Sequence, residues 1–280
     1  MPRTNPSSAT ASSAASSLPE PFVPGGLCAI HQPNLLPRLT TLAKLYAADH
    51  WIVLDDVQFT RRDYQHRACI AALDDVDRIR WLTVPTHLPH GRRTLIRDAL
   101  LVDRASSRRR TSSILSQYYG TSPHWPTLDR ALLPVWEAFG TGRTAAVAAA
   151  STRALLDTLG WRGQMLASSV LAARSGRSER LADLAAATGA RGYLCGTGGM
   201  TYLDPAPFTA QGVAVLPFLP PTSGVWASGR RISAVWAIAA SGPDAVAAQL
   251  RAIAPAHGAS GPVAGLAGAQ GSGTEQARGE

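Results

Sequence analysis

One histidine and an adjacent pair of aspartates stand where short apolar runs end. His31 closes the run Leu27 to Ile30, and Asp55-Asp56 close the run Trp51 to Leu54. A histidine beside a carboxylate is oriented and made more basic, which suits a general base. His31, Asp55 and Asp56 are therefore the catalytic candidates. In a regular strand only one of two adjacent residues faces a given side, so either aspartate can take the orienting role. His31 with one aspartate supplies too few ligands for a metal, and none is expected. The polar stretch Gln58, Arg61, Arg62, Asp63, Gln65, His66 and Arg67 follows at once. Guanidinium groups match phosphate and carboxylate geometry, so Arg61 and Arg67 are candidates to hold an anionic substrate. Gly196-Thr197-Gly198-Gly199 follows another apolar run. Small residues there let backbone N–H groups approach an anion. The Walker Lys-Ser/Thr and the full dinucleotide fingerprint are both absent, and a plain tight turn explains the segment equally well.

The elements that must position these groups follow from periodicity. Gln32-Pro33-Asn34 cannot continue a ladder, because proline lacks the backbone donor. Leu36, Leu39, Leu42, Ala43, Tyr46 and Ala47 then recur at helical spacing. Strand, helix and strand in such tight succession read as a crossover with parallel strands. Their carboxyl ends share an edge, which places His31 beside Asp55 or Asp56 in the crevice where open α/β sheets bind ligands. Arg80 to Val84 is a third apolar run, and Leu95 to Val102 holds a further short strand. Apolar stripes over 104–119, 128–139 and 144–159 predict helices, a helical region over about 104–160 that forms a side layer or insertion. The α/β pattern then returns: a helix over 178–188 with Ser178 as its N-cap, strands over 191–195 and 213–216, and a helix over 232–240. The expected fold is α/β, a mostly parallel, Rossmann-like sheet with flanking helices and a helical insertion.

Composition bounds the class. The chain has 280 residues, 45% of them hydrophobic, and a net charge of +8. Residues 1–24 are rich in Ser, Ala and Pro, and residues 255–280 in Gly, Ala and Ser. Both read as disordered tails around a single domain over 25–254. No run of about 18 apolar residues exists, so no membrane span is expected. The charge is scattered arginine with one cluster at Arg108-Arg109-Arg110 and a single lysine, Lys44, which argues against nucleic acid and fits an anionic small-molecule substrate. Cys28, Cys69 and Cys195 are widely spaced, without CxxC, and read as reduced cytoplasmic thiols. Cys28 or Cys195 could serve as a nucleophile near His31, although a small buried hydrophobe is the commoner fate of a cysteine. His87 and His90 have metal-like spacing but lie in a Pro/Gly segment without a third partner, and read as a solvated loop. No motif names a cofactor.

The successive segments HQPNLLPR, LDDVQFTRRDYQHR, WLTVP and YLCGTGGMTYLD resemble the signatures of the WbqC-like protein family, in order, from about Leu27 to Gly242. In the family's pattern an aromatic and a tryptophan stand where this chain has Leu35 and Arg38, and a serine where it has Cys195. The resemblance implies a biosynthetic role in surface-polysaccharide or specialised-metabolite tailoring. It suggests a transferase that moves an acyl or aminoacyl group to an amine. A nucleotidylyltransferase-like enzyme, or a non-catalytic protein that delivers an intermediate to a carrier or pathway partner protein, is the alternative. The matching positions are His31, Gln32, Pro33, Asn34, Asp55, Asp56, Gln58, Arg61, Gln65, Arg67, Gly196, Gly198, Gly199 and Tyr202. Of these, Gln32, Asn34, Gln58, Arg61, Gln65, Arg67, Gly196, Gly198, Gly199 and Tyr202 are the expected substrate-binding residues.

Overall fold

A computed structural model describes residues 26–258. Its centre is a five-stranded, all-parallel sheet flanked by helices. The strands are β1 (Leu27–His31), β2 (His50–Val53), β7 (Gln164–Ala167), β8 (Gly192–Gly196) and β9 (Ala214–Phe218). Their spatial order is β7-β2-β1-β8-β9. The chain therefore builds outward from β1 to one side, then returns to its other side. The order reverses between β1 and β8.

The strands alternate their side chains between two apolar layers, as the pleat requires. Ala29, Trp51 and Leu194 enter the larger core, while Cys28, Ile30, Ile52 and Cys195 enter the smaller one. Helices α1 (Leu39–Tyr46), α5 (Thr144–Thr158), α10 (Ala234–Ser241) and α11 (Pro243–Gly258) belong to the first layer. Helices α6 (Arg177–Ala186) and α8 (Ala206–Ala210) belong to the second. Helix α1 is buried almost all round: Leu39, Thr41, Leu42, Ala43, Lys44 and Leu45 are all inside.

The expected helical side layer is present as α2 (Arg104–Tyr119), α3 (Trp125–Ala131), α4 (Leu133–Ala138) and α5. The stripe read as one helix over 128–139 is two, because a helix turns at Leu132 and restarts with Pro134 in its first turn. Three strands went unread: β3 (Arg67–Ala71), β7, and β5 (Thr86–His87), which places His87 in a short strand and not in a loop. The run at 80–84 is β4 (Ile79–Thr83), which pairs antiparallel with β3 outside the central sheet. The short strand expected over 95–102 is β6 (Leu100–Leu101), paired with β5 (Thr86–His87). Ser178 is not a cap: Gly176 is, and the Ser178 hydroxyl accepts from the Asp204 amide instead. Short helices α7 (Thr197–Met200) and α9 (Val225–Gly229) complete the set. The tails expected over 1–24 and 255–280 lie outside the described residues, save 255–258, which continue α11.

Candidate functional site

The segment Gln32–Arg38 leaves β1 and is pinned from three sides. The Leu35 amide donates to the Tyr64 carbonyl at 2.9 Å, and the Leu36 amide to Ser151 Oγ of α5 at 2.8 Å. The Asn34 carbonyl accepts from Thr152 Oγ1 at 2.9 Å. Gln65, fully buried, donates from Nε2 to Gln32 Oε1 at 2.5 Å. Leu36 holds a φ of +45°, the sole positive φ of a non-glycine among the described residues. A left-handed leucine costs about 1–2 kcal/mol, so these bonds hold the segment in one shape against strain.

His31 Nδ1 lies 2.8 Å from the Gln32 carbonyl. A carbonyl only accepts, so Nδ1 carries the proton and Nε2 keeps its lone pair. Burial first, then the neighbouring Lys44, pushes the imidazole down to about 3. His31 is therefore neutral at ordinary pH. The expected His31–carboxylate pair does not form: the backbone oxygen of Gln32, and not an aspartate, orients the ring.

Asp55 and Asp56 turn the other way, toward β7. Asp55 accepts from the Ser169 amide at 3.0 Å and Ser169 Oγ at 2.9 Å, and Ser168 Oγ lies 3.1 Å from it. Asp56 accepts from Ser168 Oγ at 2.5 Å and pairs with Arg180 of α6. Burial pushes the Asp56 carboxyl up, but the bonds from Ser168 and Arg180 outweigh it and hold it below the usual carboxylate range. These bonds engage both side chains. Neither Arg61 nor Arg67 forms an ion pair with them; Arg180 pairs with Asp56, and Asp55 is held by the serine bonds.

At the reversal of strand order the arrangement is different. β1 and β2 pair as far as His31↔Val53, and β8 and β9 as far as Gly196↔Phe218. β1 and β8 pair only at Leu27↔Gly192 and Cys28↔Tyr193. Their carboxyl ends part. On β1 the carbonyls of Leu27 and His31 bond toward β2, so that of Ile30 points toward β8. It accepts Lys44 Nζ at 3.4 Å. Lys44, 7% exposed and the chain's single lysine, thus reaches from α1 into the gap between the two central strands. A Cβ on Gly196 would lie 3.9 Å from Nζ, which places the amine beside the end of β8 as well. Burial pushes Lys44 down to about 8. Ligand sites of open α/β sheets form at such a reversal point. The histidine and the glycine segment flank it; the aspartates belong to the neighbouring corner.

The remaining expected residues fall in two groups. Gly196, Gly198 and Gly199 sit at the end of β8 and in α7, a single helical turn. Gly199 is needed sterically, since a Cβ there would lie 2.5 Å from Cys195 Sγ. Tyr202 is exposed, with Arg177 stacked 4.8 Å above its ring. Cys195 and Cys28 are buried thiols, both pushed up by burial, Cys28 to about 12, which leaves them poor nucleophiles.

The segment after β2 forms a cleft of about 550 Å³ whose lining includes Gln58, Phe59, Arg61, Arg62, Leu88 and Arg92. No carboxylate lines it. Arg67 is turned elsewhere, bonding the carbonyls of Arg62 and Asp63 and lying 4.6 Å over Trp81. A second cleft of about 550 Å³, at the β3–β4 turn and the end of α2, holds the Arg78–Asp74 ion pair and none of the expected residues. No group of three or more His, Cys, Asp or Glu among the described residues is arranged to hold a metal. No described helix is long and apolar enough to cross a membrane.

The WbqC-like protein family matches residues 32–223. The chain belongs to this family. It is also 25% identical over 189 residues to an uncharacterized protein of Mycobacterium tuberculosis, Rv1507c, a stretch covering 67% of this chain and 79% of that protein. No solved structure matches. The stretch typical of WbqC-like proteins takes in the pinned loop, Lys44, the aspartate corner, the arginine cleft and the glycine segment. Of these, sequence reading passed over Lys44. Its signal was present: a lone lysine in an arginine-rich chain, set between Ala43 and Leu45 on an apolar helix.

Proposed function

We infer that this WbqC-like protein is a biosynthetic transferase. It moves an acyl or aminoacyl group onto the amine of a small anionic substrate, in polysaccharide or specialised-metabolite tailoring. The observation that carries the anionic substrate is the cleft at Arg61, Arg62 and Arg92, free of carboxylates and backed by the apolar side chains of Phe59 and Leu88. Guanidinium groups take phosphate or carboxylate bidentately, and the apolar wall accepts a hydrophobic or ring portion. His31 serves as the acceptor for the incoming amine, since its Nε2 lone pair is free of the bond that fixes Nδ1. With its pKa held near 3 it orients that amine as a hydrogen-bond acceptor and is too weakly basic to deprotonate it efficiently at neutral pH.

Calorimetric titration with nucleotide-sugars and acyl-phosphates tests this reading. Replacing Arg61 by alanine should weaken an anionic ligand by about ten- to a hundred-fold, as expected for a charge-assisted bond of about 1.5–3 kcal/mol. The melting temperature should stay nearly unchanged, because Arg61 is exposed and forms no ion pair with Asp55 or Asp56, the latter pairing with Arg180. Binders that prove uniformly neutral or cationic contradict the reading.

A further inference from the structure

Lys44 is a polar group that the fold does not balance. A buried ammonium without a counter-ion is costly, and a side chain whose only task was to fill the space beneath β1 would be leucine or methionine. Its one hydrogen bond, 3.4 Å to the Ile30 carbonyl, is longer than the 2.7–2.9 Å typical of a charge-assisted bond. The titratable groups around it are His31 at the end of β1, Cys28 on β1 and Cys195 on β8. None supplies a negative charge at neutral pH, because burial holds the imidazole neutral and both thiols protonated. The amine stands at the parted ends of the two central strands, and the residue of β8 beside it is a glycine.

We propose that Lys44 is a carbonyl-capturing amine. Its Nζ adds to the aldehyde or ketone carbon of a small substrate seated between the ends of β1 and β8. The nitrogen lone pair forms the C–N bond while the carbonyl π pair moves to oxygen, which takes up a proton. The carbinolamine then loses one water, made of that oxygen and protons that left nitrogen, to give the C=N bond. Nothing is oxidised or reduced. A desolvated lysine is the form of this side chain suited to such chemistry, because a useful fraction is unprotonated near neutral pH. Lys44 does not line the arginine cleft, and its test reads an adduct on Lys44 itself, so it does not depend on the transferase reading.

The experiment uses the full chain, incubated at pH 7.5 with glyoxylate or glycolaldehyde and sodium cyanoborohydride, then read by intact mass and peptide mapping. Lys44 is the chain's single lysine, so the α-amine of Met1 is its competitor and internal control. The expected result is one reduced adduct on the Lys44 peptide, formed at least about tenfold faster than on a blocked lysine in solution. A folded Lys44→Met variant, checked by circular dichroism, should show label on Met1 alone. Labelling of Lys44 only after unfolding in guanidinium, or no faster than the free lysine, overturns the proposal. Loss of anion binding in the arginine cleft leaves it standing.

Discussion

At the β2–β7 corner, Asp55 and Asp56 meet two serine hydroxyls, a backbone amide and a guanidinium. At the β1–β8 gap, one strand away, Lys44 meets a single distant carbonyl and His31 turns its proton to its own loop. Both places lie at the carboxyl edge of the same sheet, and both hold ionisable groups. The difference is in opposite charge: Asp56 has a guanidinium partner, and Lys44 has no carboxylate. At the corner both carboxylates accept bonds that tie β2, the end of β7 and α6 together, while Arg180 Nε is left buried without a partner. A gap whose amine is buried and unmatched destabilises the native state, a condition that functional sites commonly tolerate.

This contrast can be broken by substitution. Asp55→Ala should be the most damaging, because it orphans the Ser169 amide and the Ser169 hydroxyl; we expect a loss of about 3 kcal/mol in urea unfolding. An Asp55→Ala protein of unchanged stability would mean that the corner is not structural. Lys44→Met should act in the opposite direction. A shift from 10.5 to about 8 corresponds to about 3 kcal/mol of penalty below pH 8, less about 1 kcal/mol for the lost bond to Ile30. The variant should therefore be more stable by about 2 kcal/mol at pH 7. The sign follows from linkage. The unfolded lysine keeps its proton up to about 10.5 while the folded one releases it at about 8, so wild-type stability gains from this group as pH rises between those values. The advantage of the variant should shrink over the same window. Cys28, pushed up to about 12, acts in the opposite sense above its unfolded value, so the difference between the two proteins is the quantity to follow.

Acid sharpens the contrast further. His31 is lowered to about 3 and His66 to about 4, the latter by burial, then Arg67 and Arg61; burial lowers His50 as well. The unfolded chain takes up protons at these sites near pH 6.5, before the folded one does, so stability should fall as pH drops from 6.5 toward 4. His31→Asn should flatten part of that slope in pH-dependent melts. The smallest effect concerns the pinned loop. Thr152→Val removes one donor to the Asn34 carbonyl and should cost about 1 kcal/mol. A larger loss would mean that the strained Leu36 conformation depends on that one bond.

Much of this fold could be read from the chain, because β1, α1, β2, α2, α5 and β8 each carry a strong period or a glycine stop. β7 escaped because Gln164–Ala167 is a short edge strand of residues with little β preference, largely exposed. β3, with Ala68, Cys69 and Ala71 around Ile70, has a single branched residue to mark it as a strand. At the site, His31 and the glycine segment could be placed at strand ends, since periodicity fixes where strands stop. Their neighbours could not, because strand order is set by packing. Reading β1-β2 as the crevice paired His31 with the aspartates; the order β7-β2-β1-β8-β9 moves the reversal to the other side of β1. Lys44 was hidden by its helix, whose apolar period carries on around it.

The central claim is an unpaired amine at the reversal of strand order. Because the chain has one lysine, a sample labelled with ε-13C lysine gives one side-chain resonance to titrate by NMR. The expected result is that this resonance titrates near 8 in the folded protein, because burial disfavours the ammonium, and that it shifts when glyoxylate is added. A midpoint near 10.5, unchanged on unfolding, would contradict the account, because Lys44 would then be solvated and the gap between β1 and β8 would hold no special group.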